Sequence, residues 1–251
     1  MLIDTHCHLD AAEFVVDRDA VYAAALAAGV ERLVVPAVAV DGFEAVKNCV
    51  QRYPACVAAY GIHPLHAMAA GDDDLACLRR CLQTEDAVAV GEIGLDYYVP
   101  GIDPERQARL FVEQLKLARE FDLPVILHVR RAVDQVLKYL RRSGVRCGIA
   151  HAFNGSRQQA DEFVKLGFKL GFGGALTYAG STRIRALAAE LPLTTIVLET
   201  DAPDMPPAWL ARGRNAPAEL PRIAAELATL RGLPPAEVIR QTGLNAAAVF
   251  R

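Results

Sequence analysis

Eight short strand-like segments alternate with longer helix-like segments along the whole chain. The former are rich in β-branched and other apolar residues, whereas the latter repeat apolar residues at helical spacing. Strands that are each followed by a helix form a parallel sheet, and eight such units in 251 residues match a closed (β/α)8 barrel. We therefore predict an α/β fold, a single TIM-barrel domain over residues 1–251. Its strands are predicted at residues 2–8, 32–38, 56–63, 87–93, 124–128, 146–151, 168–172 and 195–200.

A doubly wound open sheet is the alternative fold for the same alternation. Such a sheet usually carries a G-x-G-x-x-G phosphate-binding turn after its first strand. Here the first strand runs into Asp4-Thr5-His6-Cys7-His8 instead. The sequence therefore favours the closed barrel.

Composition limits the partners of the protein. Apolar residues make up 53% of the chain, enough for a large core, and the formal net charge is −3. No overall positive field attracts nucleic acid, so a polyanion must be held by local groups or by metal. With no apolar run of membrane-spanning length, no secretory signal and no CxxC pair among six cysteines, we expect a cytoplasmic protein with free thiols and no membrane partner.

Metal-binding side chains stand at the ends of the predicted strands. Five of the six histidines do so, together with one glutamate and one aspartate. Barrels of this class build their active sites at the C-terminal ends of the strands, so we expect these side chains to converge on one pocket. They are His6, His8, His63, Glu92, His128, His151 and Asp201.

Four histidines and two carboxylates are too many ligands for one tetrahedral cation and suit two. A carboxylate such as Glu92 can bridge two cations, which together activate a shared water and stabilise the attacking and leaving oxygens of an in-line displacement. Nitrogen-rich ligation suits zinc or manganese better than magnesium, which stays an alternative.

Asp4 and Glu199 each precede a strand-end ligand by two residues and are expected on the same face, one layer deeper. A buried carboxylate needs a partner, and imidazole N–H groups are natural ones. We therefore expect both to orient the metal ligands, with an internal salt bridge as the alternative.

Six ordered motifs resemble those of the TatD family of metal-dependent deoxyribonucleases, which are amidohydrolase-like TIM-barrel hydrolases. The likeness spans the whole chain, and its motifs keep their order and intervals. They are Asp4-Thr5-His6-Cys7-His8, Gly61-Ile62-His63-Pro64, Gly91-Glu92-Ile93-Gly94-Leu95-Asp96-Tyr97, Leu127-His128, His151-Ala152-Phe153-Asn154-Gly155 and Glu199-Thr200-Asp201-Ala202-Pro203.

The resemblance implies a division of the ligands between two cations. His6, His8, Glu92 and Asp201 would hold one, whereas Glu92, His128 and His151 would hold the other. It also makes Glu92 and Asp201 the catalytic carboxylates, with Asp201 managing the proton of the attacking water.

His63 matches a family position near the substrate phosphate; its alternative role is packing against Pro64 in a tight turn. Arg130 follows the fifth strand and is a candidate phosphate contact, as are Arg131, Arg183, Arg185, Arg212 and Arg214.

No basic stripe interleaved with aromatic residues runs along the chain, so we expect action on strand ends or short fragments rather than tracking of long strands. The chain departs from many relatives at Asp204-Met205-Pro206-Pro207, which adds a carboxylate to the pocket wall. The motifs therefore do not define the substrate.

The expected function is hydrolysis of DNA or another phosphodiester by a water activated between two divalent cations. Hydrolysis of a different ester or amide by the same centre, such as the aminoacyl ester of a mischarged tRNA, is the first alternative. A metal-loaded binding protein without turnover is the second.

Overall fold

Eight parallel strands form a nearly closed barrel in the computed structural model, which describes residues 1–250. Each strand pairs with the next in chain order. The strands are β1 (Leu2–Asp4), β2 (Val30–Pro36), β3 (Cys56–Tyr60), β4 (Ala87–Asp96), β5 (Val125–Arg130), β6 (Gly148–Ala150), β7 (Phe168–Phe172) and β8 (Ile196–Leu198). The predicted TIM-barrel fold is confirmed.

The first and last strands meet through Thr5, which directly follows β1. Both its backbone N–H and its hydroxyl donate to the Leu198 carbonyl, each at 3.1 Å. This junction brings the first and eighth strand ends together at the same end of the barrel.

Helices connect the strands and cover the outside of the barrel. Asp103 caps one of them by accepting from the Glu105 N–H at 2.8 Å, and Pro104 occupies its first turn, as predicted. The helices are α1 (Arg18–Ala27), α2 (Phe43–Arg52), α3 (Asp72–Thr84), α4 (Pro104–Glu120), α5 (Val133–Ser143), α6 (Arg157–Lys165), α7 (Thr182–Glu190), α8 (Leu220–Arg231) and α9 (Pro235–Val249).

The core has two layers. A larger apolar layer lies between strands and helices, and a smaller one fills the barrel interior. The inner layer also contains residues of α9, so that helix closes the N-terminal end of the barrel. Its buried members are Ile3, Val34, Ala59, Ala89, Ile126, Ile149, Val197, Ala246, Val249 and Phe250.

Seven of the eight strands have bounds that differ from prediction, and only β7 matches; two of the differences fall at the cavity. The first strand ends at Asp4 rather than at residue 8, because the next N–H groups bond to several neighbours: Cys7 to Val34 and His8 to Ala202. The fourth continues three residues beyond 93, to Asp96, because it keeps pairing with β5 there.

The helices and the cysteines of residues 1–250 bear on the expectations about membranes and disulfides. Within this range no helix has the length and apolar character needed to cross a membrane. All six cysteines are free thiols, as the sequence predicts.

Asn245 fastens α9 to the barrel and provides a test of this packing. Its amide donates to the carbonyls of Leu193 at 2.8 Å and Ile196 at 2.7 Å, and the side chain is buried. Asn245→Ala leaves both acceptors without this donor, so we expect the free energy of unfolding to fall by about 1–3 kcal/mol. Denaturant unfolding measures it. The neighbouring Leu244 is 49% exposed, and Leu244→Ala should change stability by less than about 0.5 kcal/mol; equal losses would contradict the assigned role.

Candidate metal-dependent active site

A cavity of about 970 Å³ opens at the C-terminal ends of the strands. Backbone hydrogen bonds place its polar residues: the N–H of Glu92 donates to Ala37, which follows β2, and that of His151 donates to Leu127 of β5, each at 3.0 Å. The lining includes His8, His63, Glu92, Asp96, Tyr98, His128, Arg130, Arg131, His151, Arg183, Asp201 and Asp204.

One group of donor atoms forms around the first and eighth strand ends. The Nε2 atoms of His6 and His8 lie 3.1 Å apart, and Oδ1 of Asp201 lies 3.5 and 3.7 Å from them. These three side chains can hold one cation between them. They include both members of the predicted His-x-His pair.

Glu92 stands between this group and a second one. Its Oε2 lies 3.3 Å from Nε2 of His6, whereas its Oε1 lies 2.9 Å from Nδ1 of His128 and 3.7 Å from Nε2 of His63. His151 joins His6 and Glu92 in a further possible donor group. The two oxygens of Glu92 therefore face different imidazoles, as a bridging carboxylate requires.

The protonation of three of these groups, Glu92, Asp201 and His6, suits a cation. Burial raises the pKa of Glu92, but its interactions with the imidazoles of His6, His63 and His128 outweigh it, so the net pKa lies well below the usual value. Burial likewise opposes ionisation of Asp201, yet His151 brings its pKa below the usual value. Burial lowers the pKa of His6, favouring the neutral imidazole that binds metal. Ionised carboxylates facing a buried neutral imidazole are a donor set that fits a divalent cation.

His63 is held in one tautomer. Its Nδ1 accepts a hydrogen bond from the Leu65 N–H at 3.2 Å, and burial lowers its pKa to about 4. In a neutral ring whose Nδ1 is an acceptor, Nε2 carries the proton and has no lone pair for a metal. This geometry favours a hydrogen-bond donor to substrate over a third ligand beside Glu92 and His128.

Glu199 contacts the imidazole of His151, one of the candidate ligands. Its Oε1 lies 3.0 Å from Nδ1 of His151 and accepts from the Ala152 N–H at 2.6 Å. The carboxylate leaves Nε2 of His151 facing Asp201 at 3.6 Å. A Cβ at position 171 would overlap this carboxylate, so the glycine there makes room for it.

Asp4 has different partners from those expected. Its carboxylate accepts from the Thr200 hydroxyl at 2.6 Å, the Thr200 N–H at 2.9 Å and the His6 N–H at 3.3 Å. Burial raises its pKa to about 7. Asp4 thus ties the backbone of the His6 segment to the eighth strand end, rather than bonding to an imidazole N–H as predicted.

Asp96 is a site residue that sequence reasoning gave no role. It is 1% exposed, its Oδ2 lies 3.0 Å from Nε2 of His128, and its Oδ1 accepts from the N–H groups of Tyr98 and Val99. Since Nδ1 of His128 faces Glu92, Asp96 fixes the opposite side of the ring. Its place in the fourth-strand motif was a signal, but the strand was expected to end three residues earlier.

Of the six arginines named as phosphate contacts, five divide into two groups, and Arg212 is exposed outside the cavity lining. Arg130, Arg131 and Arg183 line the cavity. By contrast, Arg185 bonds to Glu226, and Arg214 bonds to Asp17. Two guanidinium groups are therefore committed to structural ion pairs, and three remain at the mouth.

The fold and the donor groups define a metal-dependent hydrolase of the TIM-barrel class. The chain belongs to the TatD family, because the family model described as TatD related DNase matches residues 3–251. It is similar to the metal-dependent hydrolase YjjV of Escherichia coli K12, with 44% identity over 97% of this chain and 95% of that protein.

Two further comparisons agree. The chain is 34% identical to a protein of Erwinia tasmaniensis named 3'-5' ssDNA/RNA exonuclease TatD, over 99% of each chain. The crystal structure of Escherichia coli YjjV superposes with a TM-score of 0.96 at 41% identity, covering 99% of this chain and 97% of the other. Both support the family and the fold.

Asp96→Asn tests the contact to His128. The substitution removes the charge that orients the imidazole, and such outer contacts typically contribute 10–100-fold to metal affinity. We expect the affinity for Zn²⁺ or Mn²⁺, measured by calorimetry with chelator competition, to fall by about that factor. Asp161→Asn removes a surface carboxylate paired with Arg157 and is the control. Unchanged metal affinity in Asp96→Asn would show that the contact does not orient a ligand.

Proposed function

We propose that this TatD-family hydrolase cleaves DNA phosphodiester bonds with two divalent cations, acting on strand ends or short fragments. The observation that carries the proposal is the position of Glu92, whose two oxygens face His6 at 3.3 Å and His128 at 2.9 Å. The exonuclease name of the Erwinia tasmaniensis relative supports the substrate class.

The donor groups suggest the ligands of each cation. His6, His8, Glu92 and Asp201 would hold one, and Glu92, His128 and His151 would hold the other. The imidazole nitrogens favour zinc or manganese, with magnesium as the alternative. Bound there, the cations would supply a water activated near neutral pH and positive charge beside the phosphate oxygens.

Asp201 is the group placed to accept the proton of the attacking water. It is ionised, and its two oxygens face different imidazoles, with Oδ1 toward His6 and His8 and Oδ2 toward His151. A carboxylate that is ionised and partly open to the cavity can act as a general base.

His63 would bind the scissile phosphate, and the arginines of the mouth would contact the phosphates that flank it. The Nε2–H of His63 is free to donate to a phosphate oxygen, because the tautomer is set by Leu65. Arg130 lies further out, with a side chain that is 51% exposed. Charge-assisted bonds of this kind orient a phosphodiester toward the donor groups.

The depth of the cavity supports action at a strand end. The apolar layer inside the barrel closes the space below the donor groups, so the cavity ends there and does not pass through the barrel. A polynucleotide can reach the floor by its end more readily than by a paired segment of its interior.

One observation favours the second candidate, hydrolysis of an ester such as the aminoacyl ester of a mischarged tRNA. Asp204 lines the cavity with a carboxylate that could pair with the ammonium group of such a substrate. Burial and the nearby Asp201 raise the pKa of Asp204. A panel containing single-stranded DNA and an aminoacyl ester separates the two candidates.

Glu92→Gln and His128→Asn test the proposed centre. Each removes a donor that we assign to the cations, so we expect hydrolysis of single-stranded DNA to fall to about 1% of wild type or less. Metal content is measured on the same samples, and circular dichroism checks the fold. Glu190→Gln, at an exposed carboxylate 3.7 Å from Arg157, is the control. Undiminished cleavage by either variant would refute the proposal.

A further inference from the structure

Tyr98 is an exposed aromatic residue at the mouth that contacts two arginines. The guanidinium carbon of Arg130 lies 3.8 Å from its ring centroid, and that of Arg131 lies 4.5 Å from it. Such distances are within the range of cation–π attraction. The ring is 47% exposed, whereas the residues at the floor of the same cavity are buried.

The turn that carries Tyr98 is rigidly held. Oδ1 of Asp96 accepts from the Tyr98 N–H at 2.8 Å and from the Val99 N–H at 3.1 Å. The Asp96 backbone is fixed by Gln107, which accepts from its N–H and donates to its carbonyl, both at 2.8 Å. The backbone that carries the ring is therefore fixed by four hydrogen bonds and presents the ring at a defined place on the mouth.

The two guanidinium groups need a contact at a defined place. They are like charges on consecutive residues at the solvent boundary, and a long arginine side chain loses rotamer entropy when it is fixed. Oδ2 of Asp96 lies 4.0 Å from Arg130, beyond hydrogen-bond range, and already contacts His128. The Tyr98 ring is thus the contact that both arginines share.

The two arginines are more exposed to solvent than the groups at the floor of the cavity. His63 and Glu92 are 7% and 3% exposed, whereas the Arg130 side chain is 51% exposed. The two arginines therefore lie nearer to solvent than the groups at the floor, in a position where they can meet phosphates that flank the one bound at the floor.

We propose that Tyr98 is a positioning residue that holds Arg130 and Arg131 as a binding pair for phosphates adjacent to the scissile one. The inference deepens the proposed nuclease function and rests on it. The ligand is a single-stranded oligonucleotide with several phosphodiesters, since one isolated diester has no phosphate for the pair to bind.

Tyr98→Leu and Tyr98→Phe test this role with two substrates, a single-stranded hexanucleotide and bis(4-nitrophenyl) phosphate. We expect Tyr98→Leu to lower the ratio of kcat/KM for the hexanucleotide to that for the small diester by about tenfold, mainly through KM, which corresponds to about 1.4 kcal/mol. Tyr98→Phe keeps the ring and should restore the ratio to within about twofold of wild type.

Salt dependence gives a second measurement that general loss of structure would not mimic. Each phosphate contact to a single strand contributes about 0.7 to the slope of log affinity against log salt. The slope for the hexanucleotide should therefore become shallower by about 1 in Tyr98→Leu. Tyr178→Leu, at another exposed tyrosine whose hydroxyl donates to Pro206, should keep the wild-type slope.

A double-mutant cycle separates positioning from direct contact. In a background of Arg130→Met and Arg131→Met, Tyr98→Leu should have little further effect on KM, because the groups it positions are absent. A full Tyr98→Leu effect in that background would overturn the proposal and indicate that the ring itself binds substrate.

Different results would contradict the role of Tyr98 and the nuclease function. If wild type cleaves the hexanucleotide and Tyr98→Leu cleaves it equally well, the inference is wrong and the function stands. If wild type does not cleave it, fluorescence anisotropy with a phosphorothioate hexanucleotide decides: weaker binding by Tyr98→Leu supports the phosphate pair, and unchanged or undetectable binding overturns it.

Discussion

The site is organised around the burial of one carboxylate. Glu92 is 3% exposed, and an unpaired charge there would cost several kcal/mol. His6 at 3.3 Å and His128 at 2.9 Å compensate it, and they belong to chain segments far apart in sequence. Only closure of the barrel brings these segments together. Stability of the barrel end and assembly of the metal-binding groups are consequently the same physical requirement.

Much of the fold follows from the sequence because local and global preferences agree. Apolar strands alternate with capped amphipathic helices, and this pattern has few solutions other than a closed parallel barrel. Strand boundaries were less predictable. Beyond Asp4 the backbone bonds to Leu198, Val34 and Ala202 in turn, and no local preference reveals such partners.

The types of site residue were predictable, but their partners were not. Histidines and carboxylates at strand ends indicated a metal site because the barrel gathers those ends. Which side chain each carboxylate meets depends on rotamers and neighbouring loops. Asp4 therefore bonds to Thr200 instead of an imidazole, while Asp96, with no assigned role, contacts His128. Tyr98 carried no signal at all, since a single exposed tyrosine is ordinary in sequence.

Asp96 connects the interior of the cavity with its rim. One buried carboxylate contacts the His128 ring, the turn that presents Tyr98 and, more distantly, Arg130. Substitutions that adapt the protein to new substrates therefore have different consequences on the two sides of the opening. A change at Asp204 alters the wall of the cavity without touching the His128 contact, whereas remodelling of the turn after β4 changes the wall and the contact to His128 together. Divergence among paralogues should accumulate on the first of these two sides.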